Sequence, residues 1–182
     1  MTFEKTVTLK DGRNCLLRNG VTSDGKAVLD VFNRTHAETD YLLTYSDENR
    51  FTASQEADFL QRKTDSANNV EIIAVVDDVV AGTAGIDALG MRDKIKHRAV
   101  FGIAITKEFW GLGIGKYLME ACIECAREAG YLQLELEVVA ENERAVEMYR
   151  RAGFIEYGRN PKAFRLRTGE YQELIDMRLE LK

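Results

Sequence analysis

The pattern of hydrophobic and polar positions predicts several β-strands in the middle of the chain. Val70–Val76 is a continuous apolar run, Asp77 and Asp78 mark a turn, and residues 79–86 return as a second apolar run, which is typical of a β-hairpin. A third extended run covers residues 99–105. In residues 132–138, leucine and valine alternate with glutamine and glutamate, which predicts a strand with one buried face.

Apolar residues spaced three and four apart predict four helices, over residues 27–39, 53–63, 114–128 and 142–152. The third helix has the clearest stripe, formed by Ile114, Leu118, Ala121, Cys122, Cys125 and Ala126. Gly130 and Gly153 end the last two helices as C-cap residues, and Asn142 is placed to cap the fourth at its start.

Further extended runs at both ends complete the predicted fold. Residues 6–17 form two short pieces around a turn at Asp11 and Gly12, and residues 154–164 and 173–181 form two more. This order predicts an α+β fold, with a mixed, mainly antiparallel central sheet flanked by helices and one βαβ-like crossover. Since no linker divides the chain, residues 1–182 are expected to form a single domain.

Composition narrows the range of partners. The formal net charge of -5 disfavours nucleic acid, because an acidic surface repels phosphate backbones. No transmembrane or signal-peptide run is present, so we expect a cytoplasmic protein without a membrane partner. The three cysteines, Cys15, Cys122 and Cys125, indicate neither a disulfide framework nor a metal site. The Cys122–Cys125 spacing falls on the apolar stripe of a helix, which favours two buried side chains.

The first candidate site is a glycine-rich turn between a strand and a helix, with glycines at positions 111, 113 and 115. Such a turn brings backbone N–H groups and a helix N-terminus towards a phosphate, although it is also compatible with a tight turn that binds nothing. The dinucleotide fingerprint fails because Lys116 occupies the third glycine position. The P-loop pattern fails because Tyr117 follows Lys116.

A second motif follows about thirty residues later. Asn142, Ala145, Tyr149, Gly153 and Phe154 fit the pattern N-x-x-A-x-x-x-Y-x-x-x-G-F, with Val138 four residues before the asparagine. Together with the glycine turn, this pair of segments resembles the GNAT superfamily of N-acetyltransferases over about residues 70–160. One departure is clear, since Trp110 stands where that family has glutamine or arginine.

The resemblance implies that acetyl-CoA is the cosubstrate and that an acetyl group passes to a primary amine by direct attack in a ternary complex. It implies pantetheine pairing along the backbone of residues 103–105 and a pyrophosphate held by amides of residues 111–116. The residues implied in binding acetyl-CoA are Ile103, Ala104, Ile105, Trp110, Gly111, Leu112, Gly113, Ile114, Gly115, Lys116 and Asn142. Tyr149 is implied as the acid that assists the departing thiolate, although a buried core tyrosine would also fit the pattern.

The general base is left open by the sequence. A carboxylate usually removes the amine proton, and the candidates are Glu38, Asp40, Glu71, Glu135 and Glu137, with Tyr41 and His97 as weaker ones. Two other functions compete with the transferase. A CoA-binding sensor would not need Tyr149, and a nucleotide-dependent oxidoreductase conflicts with the glycine spacing.

The acceptor carries no recognisable code, so polyamines, amino acids, antibiotics and protein N-termini all remain open as substrates. We expect it to bind between residues 27–60 and 88–97. The C-terminal run is expected to end the sheet as an exposed edge, and the resemblance implies that such strands often take part in dimers. We therefore expect a homodimer.

Overall fold

The computed structural model describes residues 1–181 and contains one eight-stranded sheet with four α-helices. Lys182, the last residue of the predicted domain, lies outside the described residues. The strands are β1 (Glu4–Thr8), β2 (Asn14–Asn19), β3 (Val70–Val76), β4 (Val79–Ala88), β5 (Arg98–Ile105), β6 (Gln133–Val139), β7 (Ile155–Arg165) and β8 (Tyr171–Glu180). The helices are α1 (Gly25–Glu38), α2 (Ala53–Asp65), α3 (Ile114–Glu128) and α4 (Glu143–Arg151).

The sheet is mixed and mainly antiparallel, as predicted. Its strand order is β1-β2-β3-β4-β5-β6-β8-β7, and β5 with β6 forms the parallel pair. Helix α3 connects these two strands, which confirms the βαβ-like crossover. Every predicted helix and strand is present, because the periodicities of three to four and of two residues are properties of local sequence.

The predicted position of the last strand is wrong. Strand β8 pairs with β6 on one side and with β7 on the other, so it lies inside the sheet. The exposed edge at this end is β7, which precedes β8 in the chain. Two hydrophobic side chains of β7, Ile155 and Tyr157, are about half exposed. Alternation of apolar residues identifies a strand but does not reveal its neighbours, which explains the error.

Each face of the sheet is packed against different helices. The rear face, which carries Phe101 of β5 and Leu136 of β6, packs against α3 and α4 in the main core. The front face carries the alternate residues, and α1 and α2 cover it around Ile73 of β3. Side chains that alternate along β5 and β6 therefore face two different environments.

Strands β5 and β6 separate part of the way along their length. Their parallel register begins at Arg98 with Gln133 and ends at Val100 with Glu135. Beyond this point β5 continues to Ile105 and β6 to Val139, but no pairing joins them. The resulting strand gap, between residues 101–105 and 136–139, opens towards the turn that begins α3.

Candidate active site

The strand gap presents unpaired backbone groups of β5. In an antiparallel ladder, successive residues direct their N–H and C=O groups to opposite sides. The Arg98 carbonyl and the Thr106 amide bond to residues 89 and 81 on the β4 side. By this alternation, the polar groups of Ile103 and Ile105 point into the gap. An extended ligand can therefore pair with β5 here as an additional strand.

The glycine loop, residues 110–115, lies at the open end of the gap. Gly111 and Gly113 have φ angles of 89° and 98°, which glycine adopts without strain. Within residues 1–181, the amides of residues 111–115 have no hydrogen-bond acceptor. The Lys116 amide, the sixth one predicted to hold pyrophosphate, donates to the Gly113 carbonyl instead. Five free amides at the start of a fifteen-residue helix make a suitable anion site.

Gly115 has a packing role. A Cβ atom at this position would lie 3.2 Å from the Met148 sulfur of α4 and 3.3 Å from the Ile105 side chain of β5. The absence of a side chain thus lets α3 begin close to both elements. Ile114 is fully buried beside it, whereas Leu112 is half-buried.

Trp110 joins the glycine loop to the edge of the gap. Its indole Nε1 donates to the Ile105 carbonyl oxygen at 2.7 Å. The ring lies near two cations, with Lys107 Nζ 6.0 Å and Arg144 Cζ 5.8 Å from its centroid. The Ile105 carbonyl is therefore already bonded, and Ile103 and the Ile105 amide supply the free groups of this strand.

Tyr149 lies on the rear side of the gap. Its ring contacts Phe101 of β5 edge-on, with centroids 6.1 Å apart, and Phe154 at 5.8 Å. Burial raises the pKa of its phenol well above the usual value, and no charge or hydrogen bond offsets this effect. The hydroxyl accordingly stays protonated at neutral pH, which is the state that a proton donor needs.

Asn142 caps the start of α4, as its position predicts. Its side-chain oxygen accepts a hydrogen bond from the Ala145 amide at 3.3 Å. It is half-buried, close to the end of β6. The cap uses the oxygen of the side chain, and the structure gives its amide nitrogen no partner within residues 1–181.

Two of the candidate bases are bound to other groups. Glu38 accepts from the Arg34 side chain at 2.9 Å and from the Lys107 amide at 2.6 Å. It thereby fixes the segment that leads into the glycine loop. Glu135 forms a bidentate pair with the Arg98 guanidinium. Both carboxylates have structural partners that satisfy their charge.

Three further candidates are Asp40, Tyr41 and His97. Asp40 and Tyr41 are exposed on the connection after α1. His97 directly precedes β5, and its carbonyl accepts hydrogen bonds from the Leu132 and Gln133 amides. It therefore lies at the opposite end of β5 from the glycine loop.

The remaining two candidates, Glu71 and Glu137, both lie on the front face. Glu137 is exposed on β6 at the first front-face position beyond the last β5–β6 pair. Its cross-strand partner on β8 is Asp176. Glu71 extends from β3 over Gly85 of β4. Carboxylates thus lie on the front face, with Glu137 beside the gap and Glu71 over β4, whereas Tyr149 lies behind the gap.

The predicted acceptor region is held in place by a contact that the sequence does not indicate. Arg167, in the turn between β7 and β8, makes two bonds to Asp47, of 2.9 and 2.7 Å, in the α1–α2 connection. Its guanidinium also stacks 4.0 Å from the Tyr45 ring centroid. Two loops far apart in sequence therefore meet beside the front face.

All three cysteines are buried, and burial raises the pKa of each thiol. The Cys122–Cys125 pair lies in the core, as predicted. Within residues 1–181, no cluster of three metal-ligating side chains occurs. Among the helices of residues 1–181, none is long and apolar enough to span a membrane.

Comparisons with known proteins identify the family of the chain. Residues 33–154 match the family model described as the acetyltransferase (GNAT) family. An L-amino acid N-acetyltransferase, AaaT of Escherichia coli, is 30% identical over 118 residues, which cover 64% of this chain and 72% of that protein.

Solved structures show the same fold. A GNAT-family acetyltransferase from Streptococcus pneumoniae superposes with a TM-score of 0.87 at 27% identity, covering 91% of this chain and 99% of the other. A phosphinothricin acetyltransferase from Sinorhizobium meliloti, in complex with acetyl-CoA, gives a TM-score of 0.80 at 18% identity, covering 96% and 89%.

The family match over residues 33–154 and the related N-acetyltransferase identify the chain as an acyltransferase. The chain belongs to the GNAT family of acetyltransferases.

Proposed function

We propose that this acyltransferase moves the acetyl group of acetyl-CoA to a primary amine by direct attack in a ternary complex. The observation that carries the proposal is the continuity of the strand gap with the five free amides of residues 111–115. A phosphate-bearing arm fits this arrangement, because the amides meet its charge while Ile103 pairs with its extended part.

The predicted binding residues divide into three groups by their contacts. Residues 103–105 offer the edge of β5, and the loop amides offer the anion site. Trp110 holds the loop against that edge, while Asn142 caps the helix beside it. Acetyl-CoA, when bound, supplies a thioester whose carbonyl carbon accepts a nucleophile.

Tyr149 gives its proton to sulfur as the carbon–sulfur bond breaks. The Ile105 amide faces the gap and donates a hydrogen bond to the carbonyl oxygen, where negative charge develops. Direct transfer is favoured over an acyl-cysteine route, since Cys15, Cys122 and Cys125 are each at most 1% exposed.

An amine acceptor is supported by the front-face carboxylates, because Glu137 and Asp176 are adjacent and neither forms an ion pair with the described residues. Attraction between opposite charges draws an ammonium group to this surface. A cytoplasmic location, the absence of nucleic-acid and membrane partners, and the homodimer remain predictions.

The test is an acceptor panel with acetyl-CoA, in which free CoA thiol is measured. Amino acids, polyamines, aminoglycoside-type amines and a peptide N-terminus form the panel. Initial rates with both substrates varied should give intersecting lines for a ternary complex, whereas parallel lines indicate a covalent enzyme intermediate. Tight binding of acetyl-CoA without turnover of any amine favours the sensor alternative.

A further inference from the structure

Strand β5 carries no carboxylate on the side from which an amine can approach. Its front-face residues are Arg98, Val100, Gly102 and Ala104. Gly102 is exposed, and a Cβ atom there would meet nothing within 4 Å. The strand therefore leaves open space in front of the gap but provides no proton acceptor of its own.

Strand β3, which is separated from β5 by β4, brings a carboxylate towards this space. Glu71 of β3 pairs with Gly85 of β4, and Gly85 pairs with Gly102 of β5. The Glu71 carboxyl oxygen lies over Gly85, only 2.2 Å from where a Cβ atom would stand. Cross-strand neighbours are about 5 Å apart, so this carboxyl group reaches to one strand spacing from Gly102.

The two cross-strand glycines, Gly85 and Gly102, make this reach possible. Any side chain at position 85 would displace the Glu71 carboxyl group, and a side chain at position 102 would fill the space in front of the gap. The Glu71 side chain is 15% exposed, so it retains contact with solvent.

The surroundings of Glu71 adjust its proton affinity. Burial raises its pKa to about 7, while the Lys63 ammonium, 3.9 Å away, and the Thr83 hydroxyl lower it. Asp87 of β4 and Glu56 of α2 raise it further. A base with a pKa near the working pH combines a large ionised fraction with useful basicity.

We propose that Glu71 is the general base that removes the proton from the acceptor amine, directly or through one water molecule. This proposal rests on the proposed acetyl transfer. Glu71 takes one proton from the ammonium form of the acceptor, and the freed lone pair forms the carbon–nitrogen bond. Tyr149 protonates sulfur as the carbon–sulfur bond breaks. The new amide nitrogen loses its second proton to solvent, from which Tyr149 is reprotonated, and Glu71 releases its proton to solvent.

The base and the acid then act from opposite faces of the sheet. Glu71 lies on the front face with the approaching amine, and Tyr149 lies behind the gap with the departing sulfur. This separation keeps the proton acceptor away from the group that must remain protonated. The alternative role for Glu71 is that of a structural counter-ion for Lys63.

The test measures kcat/KM for the best panel amine from about pH 5 to about pH 9, at saturating acetyl-CoA. The wild type should lose activity on the acid side with a midpoint near 7, the pKa of Glu71. Glu71→Gln should lower the rate by ~10²-fold or more and remove this acid limb. Its acetyl-CoA affinity, measured by calorimetry, should not change. Ionisation of the amine itself is common to all variants and cancels in the comparison.

Two neighbouring variants provide a test that does not depend on Glu71→Gln folding. Lys63→Gln removes a positive charge and should move the acid limb to higher pH. Asp87→Asn removes a negative charge and should move it to lower pH. A structural counter-ion predicts no movement in either variant, and such a result would overturn the proposal.

Other outcomes are equally decisive. An acid limb that Glu137→Gln removes and Glu71→Gln retains assigns the base to Glu137 and overturns this proposal alone. A wild-type protein that acetylates no amine in the panel overturns the proposed function, and the base assignment with it.

Discussion

The Trp110 indole nitrogen donates a hydrogen bond to the Ile105 carbonyl oxygen, with 2.7 Å between the two atoms. Ile105 is the last residue of β5, and Trp110 precedes the first glycine of the loop. The bond therefore fixes the distance between the edge of the strand gap and the free amides. In this chain, a tryptophan at the position where the family has glutamine or arginine acts as a tether.

Trp110→Phe keeps an aromatic ring but removes the hydrogen bond to the Ile105 carbonyl. It should weaken acetyl-CoA binding several-fold, because the glycine loop is then no longer tethered to β5. Removing one hydrogen bond should also reduce the free energy of unfolding by about 1 kcal/mol. Calorimetric titration with acetyl-CoA and thermal melting measure the two effects. An unchanged dissociation constant would show that the tether has no part in binding.

Gly113→Val should weaken acetyl-CoA binding tenfold or more, as hydrogen bonds to a charged group contribute about 1.5–3 kcal/mol each. The φ at this position is 98°, which valine adopts only with strain, so the substitution should displace the free amides around it. Gly130→Val is the matched control, since Gly130 has a φ of 80° at the other end of α3. Equal loss of affinity in both variants would place the phosphate elsewhere.

Tyr149→Phe should lower kcat by ~10²-fold, because it removes the proton donor and keeps the ring contacts. The KM for acetyl-CoA should stay close to that of the wild type. Tyr131→Phe is the control, since the buried Tyr131 hydroxyl donates to the Asn68 carbonyl at 3.0 Å, in another part of the fold. Near wild-type turnover by Tyr149→Phe, with chemistry rate-limiting, would leave Tyr149 as a core residue only.

Arg167→Ala should raise the KM for the acceptor more than the KM for acetyl-CoA. The substitution frees the α1–α2 connection from the β7–β8 turn by removing the contacts to Asp47 and Tyr45. Stability should change by no more than about 1 kcal/mol, as for other exposed ion pairs. Arg159→Ala, which removes ion pairs within the β7–β8 hairpin, is the control. Identical kinetics for the two variants would exclude a role of the loop contact in acceptor binding.

The homodimer is checked by light scattering at micromolar concentration, where twice the chain mass of 20.6 kDa is expected. With β8 inside the sheet, β7 is the strand whose edge is open for pairing at this end. A mass equal to that of one chain contradicts the prediction.

The type and order of the secondary-structure elements follow from local sequence patterns. Side-chain periodicity depends on residues a few positions apart, so β3, α3 and α4 were predictable within a few residues. The glycine turn and the Asn142–Tyr149 spacing were likewise local features, and they were enough to indicate the family.

The set of residues that share the site depends on how distant segments pack together. Glu71 lies over Gly85 because β3 pairs with β4 in one register, and a shift of one residue would turn its side chain to the other face. The neighbours of β8 and the contact of Arg167 with Asp47 also join segments far apart in the chain. Such pairings are set by the packing of the whole sheet and its helices, and no local pattern encodes them.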